Sequence, residues 1–255
     1  MYYQLAQQEF ESYLNGYDRI KLKIIHTYGV VKQAEELAGR MHLSAEDTDL
    51  ARLIALLHDI GRFEQLKRYD SFEPGTMDHA AYGVKVLFDE GMIRRFLPDD
   101  KWDSIIYTAI AHHSDYELPE ISDPQTLLHA KLIRDEDKLD NCRVKLVDST
   151  STFINVSEEE LGTQNITQKV YETVFENKCI LSADRVTQMD YWVSYIVYFF
   201  DINFKESFDI IAENDYLNRI IDRIPYSNPV TKEQMENIRV YMQNFINFHT
   251  NSQSF

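Results

Sequence analysis

The sequence predicts an all-α protein, a helical bundle with additional helices toward the C-terminus. Two observations carry this expectation. Apolar residues recur at the three- and four-residue spacing of amphipathic helices along most of the chain, and turn-forming residues are scarce, with 8 glycines and 6 prolines in 255 residues. A sheet of short strands joined by tight turns would need more of both. No internal repeat or low-complexity tract interrupts the pattern.

The first predicted helix runs from about Tyr17 to Met41, with its stripe through Leu22, Ile25, Val30, Ala34 and Leu37 and with Gly39 near its end. Ser44, followed three residues later by Asp47, forms a capping box opening a nearly continuous apolar run, Leu50, Leu53, Ile54, Leu56 and Leu57, that must be central. That helix is expected to end in HDIGR, where Gly61 supplies a helix-terminating backbone conformation. A polar loop with Pro74 and Gly75 leads to a helix from about Asp78, striped by Val84, Leu87 and Phe88. Pro98, Asp99 and Asp100 introduce the next helix, to about His113, and ELPEISDP reads as a loop before a helix over Thr126 to Asn141. Further helices are expected near Thr167–Glu176, Asp184–Asp201, Lys205–Asn214 and Lys232–Phe248. Without a Pro-, Gly- or Ser-rich linker, the division is a motif-rich unit over residues 1–147 and a helical extension over 148–255, packed on it as one compact body.

Composition excludes several function classes. A net charge of -16 with pI near 4.9 repels long nucleic acids, while small phosphorylated ligands are less constrained. The start, MYYQLAQQEF, has neither the basic flank nor the apolar core of a signal peptide, and the apolar stretch YWVSYIVYFF is too short to span a bilayer, so a cytoplasmic protein without membrane contact is expected. Cys142 and Cys179 lack metal-ligand spacing and read as two reduced thiols.

The chemistry lies in polar residues on apolar faces. His26 shares the stripe of Leu22 and Val30, Asp137 follows Ala130 and Ile133, and His113 follows Ile106, Ala109 and Ile110. His79 opens a helix, and His58 with Asp59 closes the most apolar one. Any one such histidine is more often a hydrogen-bonded core residue than a ligand. Burying several imidazoles and carboxylates together costs kilocalories each unless they pair or share a cation, and a shared cation accounts for all of them. Mixed imidazole and carboxylate ligation suits Mn, Fe, Co, Ni or Zn, one ion or two.

The order His26, His58-Asp59, His79, His113, Asp137, with the dyad inside LLHDIGR, resembles the HD superfamily of metal-dependent phosphohydrolases over roughly residues 18–145. The resemblance implies an HD-domain helical bundle with His26, His58, Asp59 and Asp137 as the minimal ligand set. His79 and His113, within DHAAYGV and AIAHH, resemble the subgroup that binds two metals with Asp59 as the bridge. His112 is the alternative ligand to His113. The glutamate that trinuclear members carry one turn before the first histidine is replaced by Leu22, which argues against a third metal.

The implied activity is hydrolysis of a small phosphate ester, with a nucleotide favoured, by attack of metal-activated water on phosphorus. Arg62 resembles the basic residue of the family's HD-x-G-K/R pattern and is the candidate phosphate clamp; its alternative is a surface salt bridge. Lys138 is a second substrate-binding candidate, although it and Arg134 are more simply read as charges solvating a helix face. Lys67 and Arg68 sit on the expected loop with no orientation assigned. Two other functions share the ligand order: a di-iron oxygenase, and a non-enzymatic nucleotide or metal sensor. The helices after Val147 are expected to cover the metal unit or to form a homodimer surface.

Overall fold

The computed structural model describes residues 18–72 and 75–251; MYYQLAQQEF, Tyr17 and Pro74 lie outside them. Helices connected by turns make up the described residues, among which there is no strand. The chain divides into two compact units after Asp140.

In the first unit, α1 (Asp18–Arg40) packs along α2 (Ala45–Leu57) and also meets α3 (Ile60–Tyr69). Leu22, Val30, Ala34 and Leu37 are buried as expected, but Ile25 turns outward and is 45% exposed, its inward place taken by Ile24. Ser44 caps α2 by accepting from the Asp47 amide at 3.0 Å, while its hydroxyl donates to the Asp47 carboxylate. From Leu53 to Leu57 every residue of α2 is buried, which places this helix in the centre of the core.

HDIGR departs from its sequence reading. α2 stops at Leu57, the dyad forms the turn, and Gly61 lies inside α3 rather than ending a helix. The glycine is needed for close approach instead of for a left-handed backbone. A β-carbon there would lie 2.0 Å from the His79 carbonyl oxygen and 2.9 Å from the Gly83 amide nitrogen. Gly61 therefore lets α3 lie directly on α4 (His79–Val84), bringing His79 toward the dyad. Lys67 and Arg68, expected on a loop, occupy the last turn of α3.

Asp78 caps α4, which passes into a π-turn over Lys85–Asp89. α4 packs on α5 (Asp103–His112), which also contacts α2. α6 runs over Pro124–Val147, longer at both ends than the spacing predicts. It opens with proline in its first turn and with the Asp123 carboxylate accepting from the Thr126 amide at 2.7 Å.

The second unit contains the end of α6, the short helices α7 (Thr150–Ile154), α8 (Glu158–Leu161) and α9 (Gln168–Val174), and then α10 (Gln188–Val197), α11 (Lys205–Glu213), α12 (Tyr216–Asp222) and α13 (Pro229–Asn251). α11 and α12 pack on α13. The predicted helix over Asp184–Asp201 is shorter, because the Thr187–Asp190 capping box starts it at Gln188 and a 3-10 turn follows Val197. The apolar stretch around it is core, with Trp192, Val193, Ile196, Val197 and Phe199 buried, and no helix among the described residues is long and apolar enough to cross a membrane. Neither Cys142 nor Cys179 forms a disulfide.

Candidate metal centre

Helix ends converge on the centre. His58 and Asp59 stand at the turn between α2 and α3, His79 at the first position of α4, and His113 at the cap of α5, while His26 and Asp137 come from within α1 and α6. His26, His58, Asp59, His79 and His113 are all at least 95% buried, whereas the Asp137 side chain is 25% exposed and forms the open side.

Two groups of potential ligand atoms lie within 4.8 Å of one another: His26, His58 and Asp137, and His58, Asp59 and His113. The Asp59 carboxylate faces both sides. Its Oδ1 lies 3.3 Å from His79 Nε2 and 3.6 Å from His113 Nε2, and its Oδ2 lies 3.4 Å from His58 Nε2 and 3.9 Å from His26 Nε2. All six residues of the sequence-derived ligand set are thus brought together.

The hydrogen bonds fix which imidazole nitrogens face inward. His58 Nδ1 donates to the Ala55 carbonyl and His113 Nδ1 to the Ile110 carbonyl, each at 2.7 Å. A carbonyl can only accept, so each ring carries a proton on Nδ1 and turns its Nε2 toward the cluster. His26 Nδ1 lies 2.7 Å from Asp140 Oδ2, and its Nε2 faces Asp137 Oδ1 at 2.9 Å. His58 Nε2 has no hydrogen-bond partner despite complete burial, and His26 Nε2 has only the Asp137 carboxylate before it. Two ligand atoms bound at right angles to one cation at roughly 2.1 Å would stand about 3 Å apart, so the unpartnered His58 nitrogen and the His26–Asp137 spacing fit a divalent metal.

Burial opposes charge on Asp59, but the Lys23 ammonium beside it outweighs this and holds the carboxyl well below its ordinary range. Burial likewise opposes ionisation of Asp137, and its interaction with His26 prevails, keeping it low. For His26, burial and then Lys23 push the imidazole down, but Asp137 and Asp140 more than compensate, leaving it raised. Burial, then the Arg62 charge, holds His79 well below the ordinary histidine range and therefore neutral.

Lys23 and Asp140 were not singled out by the sequence reading. Lys23 Nζ is 2.5 Å from Asp59 Oδ2, and Arg62 Nε is 3.6 Å from Asp59 Oδ1, so a cation flanks each carboxylate oxygen. Lys23 stands three residues before His26 and Asp140 three after Asp137, each on its ligand's own helical face; that register was the available signal.

Arg62 is held by Gln65 Oε1 at 2.7 Å and the Phe72 carbonyl at 3.3 Å. His112 is not brought into the cluster; its Nδ1 meets Asp115 at the surface, 2.6 Å away. Lys138 Nζ turns back along α6 to the Arg134 carbonyl at 3.1 Å. Arg134 does not solvate a helix face: it is 2% exposed and donates to the His112 carbonyl at 2.9 Å and the His113 carbonyl at 3.4 Å. A helix C-terminus presents such unpaired carbonyls, and a buried guanidinium satisfies them.

Fold and site together describe an all-helical protein with a histidine–aspartate cluster that could hold a metal. Residues 24–142 match the family model described as the HD domain, a family whose members are in general metal-dependent hydrolases. Every residue of the cluster except Lys23 falls within that match. Comparison with curated proteins and with solved structures gives no match.

Proposed function

We propose that the chain hydrolyses a small phosphate ester, with a nucleotide as the favoured class, using two divalent metals held by His26, His58, Asp59, His79, His113 and Asp137. The observation that carries this reading is the Asp59 carboxylate, with one oxygen toward His79 and His113 and the other toward His26 and His58. Divalent metal at such a site polarises a phosphoryl oxygen and lowers the pKa of water.

The chain's own residues supply the rest. Asp59 and Asp137 stay anionic at neutral pH and His79 stays neutral, each in the state a ligand requires. Lys23 and Arg62, both adjacent to Asp59, are the cations available to phosphate oxygens, and Gln65 and the Phe72 carbonyl hold the Arg62 guanidinium in place beforehand. The fixed guanidinium supports Arg62 as the phosphate clamp. The strongly acidic chain favours a small substrate over a long polyanion.

The test is incubation of protein reconstituted with Mn, Fe, Co or Ni with a nucleotide panel, reading released phosphate and nucleoside. Turnover that is equal under strict anaerobiosis supports hydrolysis over oxygen chemistry, whereas absence of turnover with every metal sinks the proposal.

A further inference from the structure

His26 differs from its partner histidines in how its ring is held. His58 and His113 stand at helix C-termini, where the last carbonyls lack intrahelical partners, and each ring donates to such a carbonyl three residues back. His26 lies well inside α1, whose neighbouring carbonyls are used by the helix itself. Its Nδ1 must find an acceptor elsewhere, and the buried Asp140 carboxylate of α6 stands 2.7 Å away.

The approach is possible only because of Gly29, three residues after His26 on the same face. A β-carbon at this position would lie 1.9 Å from Asp140 Oδ1 and 2.3 Å from its Cγ. Those are overlaps with a side chain whose other oxygen is committed to His26, so a larger residue at position 29 would have to push the carboxylate off the ring.

From this geometry we infer that Asp140 is the positioning residue of the metal centre and Gly29 the gap that admits it. Asp140 keeps the proton of neutral His26 on Nδ1, so that the Nε2 lone pair faces Asp137 and His58. An anionic acceptor also makes the imidazole a stronger donor than the carbonyls behind His58 and His113 do. The side of the centre built from His26, His58 and Asp137 is therefore the tighter of two metal sites. This inference rests on the two-metal reading given above, and the experiment separates the two.

Nitrogen-15 NMR of the histidine rings, recorded on the metal-free full chain at alkaline pH where the rings are neutral, reads the His26 tautomer without any metal. The expected result is the Nδ1-protonated form in the wild-type chain. Metal titration by calorimetry, with content checked by elemental analysis, follows for wild type, Asp140→Asn and Gly29→Ala. The wild type should bind one tight and one weaker metal. Both variants should lose about 10- to 100-fold in affinity at the tight step alone, as removal of an outer partner does. Gly29→Ala leaves every charge in place, so it decides the matter if Asp140→Asn fails to fold.

An Nε2-protonated His26 in the wild type, or wild-type affinity for both metals in the folded variants, overturns the assignment of Asp140. A folded variant that weakens both metals equally also overturns it. A wild-type chain that binds no metal refutes the two-metal reading, while the tautomer still decides the role of Asp140.

Discussion

The two units bury polar groups in different ways. In the second, Asp190 is fully buried and each oxygen is used: Oδ1 accepts from the Thr167 amide and hydroxyl, Oδ2 from the Val186 and Thr187 amides. Its neighbour in chemistry, Arg223, closes the end of α6 by donating to the Lys145 and Asp148 carbonyls and pairing with Glu158. Such groups serve the backbone, and once it is satisfied nothing is left to bind a ligand. In the first unit, His58 keeps an unpartnered Nε2 inside the core, His26 turns its Nε2 to the Asp137 carboxylate, and Asp59 is wedged among histidines and two cations. Buried polar atoms without a partner occur in both units, Trp192 Nε1 and His129 Nδ1 among them, but in the first unit imidazoles and carboxylates also gather within ligand distance of one another, and that gathering marks a site that another group completes.

The sharpest way to break this contrast is to remove one carboxylate from each unit. Asp59→Asn should abolish binding at the shared position and lower activity by more than the roughly 100-fold typical of an outer-shell loss, while helical circular dichroism and cooperative unfolding persist. Asp190→Ala should do the reverse. It leaves three backbone amides and a hydroxyl without their acceptor, at about 3 to 5 kcal/mol in urea denaturation, with metal content per folded molecule unchanged. If Asp190→Ala lost metal while remaining folded, or Asp59→Asn unfolded the chain, the division between a carboxylate that binds and one that serves the backbone would fail.

The legibility of the sequence follows the same line. His26, His113 and Asp137 were readable because each interrupts an apolar stripe, and the HDIGR dyad because it ends the most apolar helix. Lys23 was hidden because a lysine on a helix reads as solvated, and only the tertiary approach of the α2–α3 turn shows that its amine meets Asp59. Arg134 was misread for the same reason: the unpaired carbonyls at the end of α5 that draw it inward lie 21 and 22 residues away. Gly61 illustrates the other gap. Sequence marks it as special, but not whether a backbone angle or a close approach makes it so. The short helices α7, α8 and α12 were missed because their few turns carry too little periodicity to stand out.

His129 provides the finer comparison, between a histidine that belongs to the core and those that belong to the site. It is 1% exposed on α6, with its Nε2 3.3 Å from Asp47 Oδ1, near the cap of α2 rather than near the cluster. Burial lowers its pKa, and the Asp47 carboxylate only partly offsets this. A histidine whose folded pKa lies below its unfolded value of about 6.5 binds fewer protons when folded, so its contribution is present above that pH and lost as pH falls. His129→Gln keeps a donor for Asp47 and cannot ionise. The wild type should therefore lose stability relative to His129→Gln on acidification from pH 7 to 5, by at most about 1.4 kcal/mol per pH unit, with metal stoichiometry unchanged at neutral pH. Urea denaturation at the two pH values measures the difference. A pH-independent gap would show that His129 takes up its proton alike in the folded and unfolded states, and a lost metal would place it with the ligands after all.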